Sequence, residues 1–155
     1  MAPVFKSVGE IIDQYTGQSR KVLEYSLLMK RLVDAAKAPG FSQASWDPLK
    51  TIIEVEGFER IGNFKEVMTW QDYVDFLSSW ATSSEWDCSF KRISEVGSVV
   101  FLELEERSRI GSFQSVVNSL SVYEFNGAGK VNHIAVYLQM ELPDPEMLKS
   151  YDGML

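Results

Sequence analysis

Glu54 and Glu56 stand two residues apart in "TIIEVEG", so on an extended chain both carboxylates leave the backbone on one side. Two such acids can work as a proton shuttle. Burial raises a carboxylate's pKa, and a like charge beside it raises one of the pair further, towards neutrality. The same spacing also describes a solvated edge strand with acidic decoration, and the residues leave both readings open. Tyr25, on the apolar side of a helical pattern, could donate to a substrate oxygen, with Ser121 or Ser119 as a second donor across a cavity. An ordinary core tyrosine bonded to a backbone carbonyl fits that pattern equally.

Other residues could shape or serve such a site. Trp46, Trp70, Tyr73, Trp80 and Trp86 could line an apolar cavity, although aromatic residues at helical spacing commonly form core. In "LELEERSR", Glu106 shares a strand face with Val100, Leu102 and Leu104, while Glu103 and Glu105 face the other way. If buried, Glu106 needs a partner, because an unpaired buried charge costs several kcal/mol, on the order of 3–5. His133, the single histidine, invites a general-base reading because imidazole titrates near neutrality. No nucleophilic triad, phosphate-binding loop or metal motif is visible.

The elements that must position these groups follow from periodicity. "SRKVLEYSLLMKRLVDAAKAPG" places Val22, Tyr25, Met29, Leu32 and Ala36 on one stripe, which predicts a long amphipathic helix capped by Ser19 and ended by Pro39-Gly40. "GEIIDQY" is a shorter helical candidate before it. β-branched Thr51, Ile52, Ile53 and Val55 predict a strand, punctuated by Gly57 and Gly62. "TWQDYVDFLSSWA" predicts a second helix, with Thr69 and Asp72 as a capping box and Tyr73, Phe76, Leu77 and Trp80 as its apolar stripe. After residue 83 four alternating runs, broken by glycine-containing turns, predict an antiparallel meander. Asp144-Pro145 can open a last short helix.

Helices first and strands last predict an α+β fold in which N-terminal helices cover a curved antiparallel sheet, a cone-like half-barrel around an apolar cavity. With "NGAG" (126–129) as a four-residue loop, Ser121 faces Ile134, Ser119 faces Val136 and His133 faces Val122. One face then carries Ser119, Ser121, Tyr123, Ile134, Val136 and Leu138, the cavity side; His133 lies on the opposite face, beside Glu124. Both faces are substantially apolar, which predicts a cover for each: helices on one side and a second copy of the chain, as a homodimer, on the outer face.

With 155 residues and 45% hydrophobic content, the chain is long enough for a single domain, with a core over about 19–140 and a tail over 141–155. Its net charge of −7 repels a phosphate backbone, so nucleic acid is not the expected partner. One cysteine and one histidine make neither a disulfide framework nor a Cys/His zinc site. With no secretory signal and no apolar run long enough for a membrane span, a cytoplasmic location without membrane association is expected.

The order of helix, interrupted strand, capped helix and four long strands, with a "FNGAGKV" hairpin, resembles the nuclear-transport-factor-2-like superfamily. That group holds ketosteroid isomerases, SnoaL-type polyketide cyclases, limonene epoxide hydrolase, scytalone dehydratase and non-catalytic binders. The resemblance spans about Ser19 to Leu138 and is closest locally to ketosteroid isomerase. It implies an oxyanion-binding tyrosine at Tyr25, a general base near Glu54, Val55 and Glu56, and Ser121 where the isomerase has a protonated aspartate. Leu77 stands where it has a supporting tyrosine. The resemblance to the epoxide hydrolase, whose cavity holds an Asp-Arg-Asp arrangement, draws attention to Glu106. The combined expectation is a cofactor-free, metal-free acid/base enzyme for an apolar polycyclic, polyketide or terpenoid-like molecule, performing isomerisation, cyclisation, dehydration or epoxide opening. A non-catalytic ligand-binding or protein-interaction module is the alternative.

Overall fold

The computed structural model describes residues 5–141. A short helix α1 (Val8–Ile11) opens it, with a capping box between Ser7 and Glu10 and a 3-10 turn after it. Helix α2 (Gly17–Ala35) follows and buries Val22, Tyr25, Met29 and Leu32. Its first turn begins three residues earlier than expected, with Thr16 and not Ser19 at the N-cap position. Ser19 is therefore no cap: its backbone N–H and its hydroxyl both donate to Glu95 Oε1, at 3.0 and 2.7 Å.

The segment expected to open the sheet behaves differently. Gln43–Thr51 forms a 3-10 helix that buries Trp46 and Leu49. Among the described residues, 51–55 make only one isolated parallel bridge, Ile53 to Val131. Ile52 and Ile53 are buried without a strand ladder, so their β-branching serves core packing. The chain turns at Gly57, with φ 72°, and enters the sheet only at β1 (Glu59–Ile61), followed by β2 (Val67–Met68). Helix α3 (Trp70–Ala81) has the expected Thr69–Asp72 capping box.

The four long strands are β3 (Glu85–Val96), β4 (Val99–Ile110), β5 (Phe113–Phe125) and β6 (Val131–Gln139). They form the predicted meander. Among the described residues the sheet is open and mixed, in the order β2-β1-β6-β5-β4-β3, with β1 parallel to β6. It is thus not wholly antiparallel, because β1 arrives by a crossover rather than a hairpin. The hairpin register also differs from the four-residue-loop expectation: Ser121 faces Val136, Ser119 faces Leu138 and His133 faces Glu124. A bulge at Glu124/Phe125 and a loop that includes Lys130 shift the pairing by two residues. Asn126 Oδ1 shapes this loop by accepting from the N–H groups of Ala128 and Lys130, both at 3.0 Å. An even shift preserves the faces. The expected helix after Asp144-Pro145 lies outside the described residues.

Candidate active site

Rows of side chains cross the inner face of the sheet. Arg60 on β1 pairs with Ile134 on β6, Ile134 with Tyr123 on β5, and Tyr123 with Val100 on β4. Further along, Val136 pairs with Ser121 and Ser121 with Leu102. Toward the far end Glu106 pairs with Val117 and with Cys88. Helix α2 lays Tyr25, Ser26 and Met29 over these rows, and α3 adds Tyr73. The result is a cavity in two parts.

A narrow part of about 90 Å³ is lined by Tyr25, Ser26, Arg60, Ser121, Tyr123 and Ile134. A wider part of about 320 Å³ adds Phe76, Leu77, Trp80 and Leu138. Met29, Arg60, Tyr73, Trp86, Glu106 and Val136 border both. An apolar wall with a few convergent polar groups is the usual constitution of a small-molecule site.

The polar groups comprise one carboxylate, one guanidinium and several hydroxyls able to donate. Glu106 is the one carboxylate lining either part among the described residues. It is half-buried, and its Oε1 accepts from Trp86 Nε1 at 2.8 Å. Trp86 and Glu106 are diagonal neighbours on β3 and β4, within reach of long side chains on one sheet face. On the donor side, the Tyr25 hydroxyl is buried with no hydrogen-bond partner among the described residues. Its ring meets that of Tyr123 edge-on, 5.8 Å between centroids. Burial, reinforced by Tyr73 and Tyr123, holds the Tyr25 pKa well above the ordinary phenol value. Burial likewise raises that of Tyr123. Both phenols therefore stay neutral and able to donate at physiological pH.

Arg60 completes the set. Its guanidinium carbon sits 4.8 Å from the centre of the Tyr73 ring, a cation–π contact. Burial acts against its charge, but its surroundings, Tyr73 first, more than offset this and raise the pKa. A full positive charge therefore faces the cavity at any working pH.

The expected site residues separate into three groups. Tyr25, Ser121, Tyr73, Trp80, Trp86, Tyr123, Ile134, Val136 and Leu138 border the cavity. Trp46 and Trp70 do not: Trp46 is fully buried with Nε1 donating to Ser78 Oγ at 3.0 Å, and Trp70 packs on Phe58 at 5.4 Å. Glu54 and Glu56 also line neither part, Glu56 being exposed and Glu54 half-buried. Residues 51–55 never become a strand of the inner face, so the two-residue period that would have aimed both acids inward does not operate. His133 lies on the outer face, its Nδ1 2.8 Å from Glu124 Oε2. Arg60 is the group that sequence reasoning missed. Its signal was Phe58, two residues before it in "GFERIG": a buried aromatic marks the inward parity.

No family model and no curated protein matches the chain. Solved structures do. An epoxide hydrolase/cyclase-like enzyme of pyran ring formation in the polyether salinomycin is 16% identical, with a TM-score of 0.61 over 79% of this chain and 91% of that one. A putative SnoaL-like polyketide cyclase from Jannaschia sp. CCS1 is 12% identical, TM-score 0.57, covering 81% and 90%. An NTF2-like protein from Anabaena variabilis is 13% identical, TM-score 0.57, covering 82% and 96%. With its open curved sheet and covering helices, the chain has the nuclear-transport-factor-2-like fold that SnoaL-like and ketosteroid isomerase-like proteins share.

Proposed function

We propose that the protein is a cofactor-free acid/base enzyme acting on a small apolar molecule that carries a carbonyl oxygen. The observation behind this reading is the asymmetry of the cavity, in which one carboxylate, Glu106, confronts several donors. Proton abstraction beside a carbonyl needs one base and a set of donors where the oxyanion develops, and that is the ratio found. Glu106 takes the proton from carbon and returns it elsewhere; the Tyr25 hydroxyl donates to the oxygen, with Ser121 beside it, and the Arg60 charge favours the anion that develops. Isomerisation, aldol-type cyclisation and dehydration all pass through such an enolate. Polyketide and terpenoid-like molecules are the substrate class that fits an apolar wall with one polar end. The structural likeness to a cyclase and an epoxide hydrolase/cyclase-like enzyme is compatible with this reading but shows the fold alone.

Glu106→Gln removes the base while keeping an acceptor for Trp86, so turnover of a bicyclic ketone should collapse while binding survives. Tyr25→Phe should lower kcat, and Glu54→Gln should leave it unchanged. Undiminished turnover in Glu106→Gln would count against the assignment. The second reading, a ligand-binding module without catalysis, draws on the small size of the narrow part. It predicts binding of the same ketones with no turnover in any variant.

The outer face is the proposed seat of a second copy. Val116 and Tyr137 are 58% and 59% exposed there, beside half-buried Phe101, Leu120, Val122 and Ala135. A self-complementary dimer is the commonest way to cover such a surface. A cytoplasmic location belongs to the same proposal.

A further inference from the structure

The arginines of this chain are not alike. Arg20, Arg92, Arg107 and Arg109 each pair with a carboxylate, and Arg31 is exposed. Arg60 is half-buried, borders both parts of the cavity and has no ion-pair or hydrogen-bond partner among the described residues. The Tyr73 ring attracts its charge but accepts none of its N–H groups in a conventional hydrogen bond. A guanidinium offers five donors in a fixed fork whose complement is a planar two-oxygen anion.

Two nearby acids could have supplied that complement and do not. Glu106 is engaged by Trp86 and makes no ion pair with Arg60. Glu66 is exposed and bound to its own loop, accepting from the Phe64 N–H at 3.0 Å. This half-buried charge, faced by the Tyr73 ring, is thus left open to pair with an anionic ligand. Next to it, the unpartnered Tyr25 hydroxyl adds a neutral donor at the same end of the cavity.

We propose that the molecule taken by this cavity carries a carboxylate, or an equally planar two-oxygen anion such as an enolised 1,3-dicarbonyl, which pairs with the Arg60 fork while its apolar body fills the wider part toward Trp80 and Leu138. This rests on the reading of the cavity as the substrate site and specifies the substrate as an acidic one. It does not depend on Glu106 being the base.

The test compares 2-naphthoate with 2-naphthamide, which share a ring system and nearly a shape but differ in charge. Calorimetric titration of the full chain should show the acid binding roughly tenfold or more tightly than the amide, as charge-assisted bidentate pairing requires. Arg60→Gln should erase that preference while amide binding persists, which also shows that the variant is folded. Arg60→Lys should keep part of it, because charge remains and the fork is lost. Equal affinity for acid and amide in the native protein, no binding of the acid at all, or an undiminished preference in Arg60→Gln would overturn the proposal. The outcome separates from the catalytic reading: a carboxylate preference with full turnover in Glu106→Gln sinks the base assignment alone. A missing preference with turnover abolished in Glu106→Gln sinks the acid-substrate proposal alone.

Discussion

Trp86 Nε1 donates to Glu106 Oε1 at 2.8 Å across the β3–β4 pair, fixing the orientation of the cavity's carboxylate from the sheet itself. Hydrogen bonds to charged groups contribute about 1.5–3 kcal/mol. Glu106 is only half-buried, so the lower end applies. Trp86→Phe should therefore lower stability by about 1.5 kcal/mol in urea unfolding and reduce kcat more than it raises KM. A drop in stability with kinetics untouched would assign the indole to packing only.

Tyr25→Phe should separate stability from activity. The hydroxyl is buried and has no hydrogen-bond partner among the described residues, and such a group is a liability to the fold, on the order of 1 kcal/mol. Removing it should leave the melting temperature unchanged or raise it by roughly 2–4 °C, while turnover falls. A marked loss of stability would mean that the hydroxyl has a structural partner.

Cys88 gives the alkaline behaviour of the fold. Burial, with Glu106 and Asp87 adding to it, pushes its thiol up to about 12, against about 8.5 for an exposed thiol. Between those values the unfolded chain releases a proton that the folded chain keeps. The contribution is therefore complete below the unfolded pKa and is lost as pH rises towards the folded one. Unfolding free energy should fall above about pH 9, by at most about 1.4 kcal/mol per pH unit from this residue, and Cys88→Ala should flatten the slope. Tyr25 and Tyr123, whose pKa values are raised too, act with the same sign at higher pH. The native thiol should also resist alkylation near neutral pH and react once urea unfolds the chain.

For the outer face, Tyr137→Glu or Val116→Glu places a charge on the exposed apolar strip. Sedimentation velocity should show the native protein as a dimer and these variants as monomers. A native monomer at all accessible concentrations would remove the dimer proposal.

Where local pattern and tertiary environment agree, the sequence is legible. The α2 stripe, the Thr69–Asp72 box and four strands are visible because period and capping chemistry belong to each segment alone. The inner face of the hairpin survives a register displaced by two, since parity fixes the face while loop length fixes the partner. The site is less legible at Glu54 and Glu56. A run of β-branched residues there is equally at home packing a core without a ladder, so propensity pointed to a strand that tertiary packing did not form. β1 is only three residues long, too short for periodicity to announce Arg60. Glu106 was readable through its face, but its partner Trp86 depends on the strand pairing.

The most direct test of the central claim is the exchange of the α-protons of 2-tetralone in D₂O, followed by proton NMR with the native protein and with Glu106→Gln. The native protein should accelerate exchange over buffer by roughly a hundredfold or more, as a positioned general base does, and Glu106→Gln should return it to the buffer rate. Exchange at the buffer rate with the native protein, or equal acceleration by Glu106→Gln, would contradict the assignment of Glu106 as the proton-transferring group.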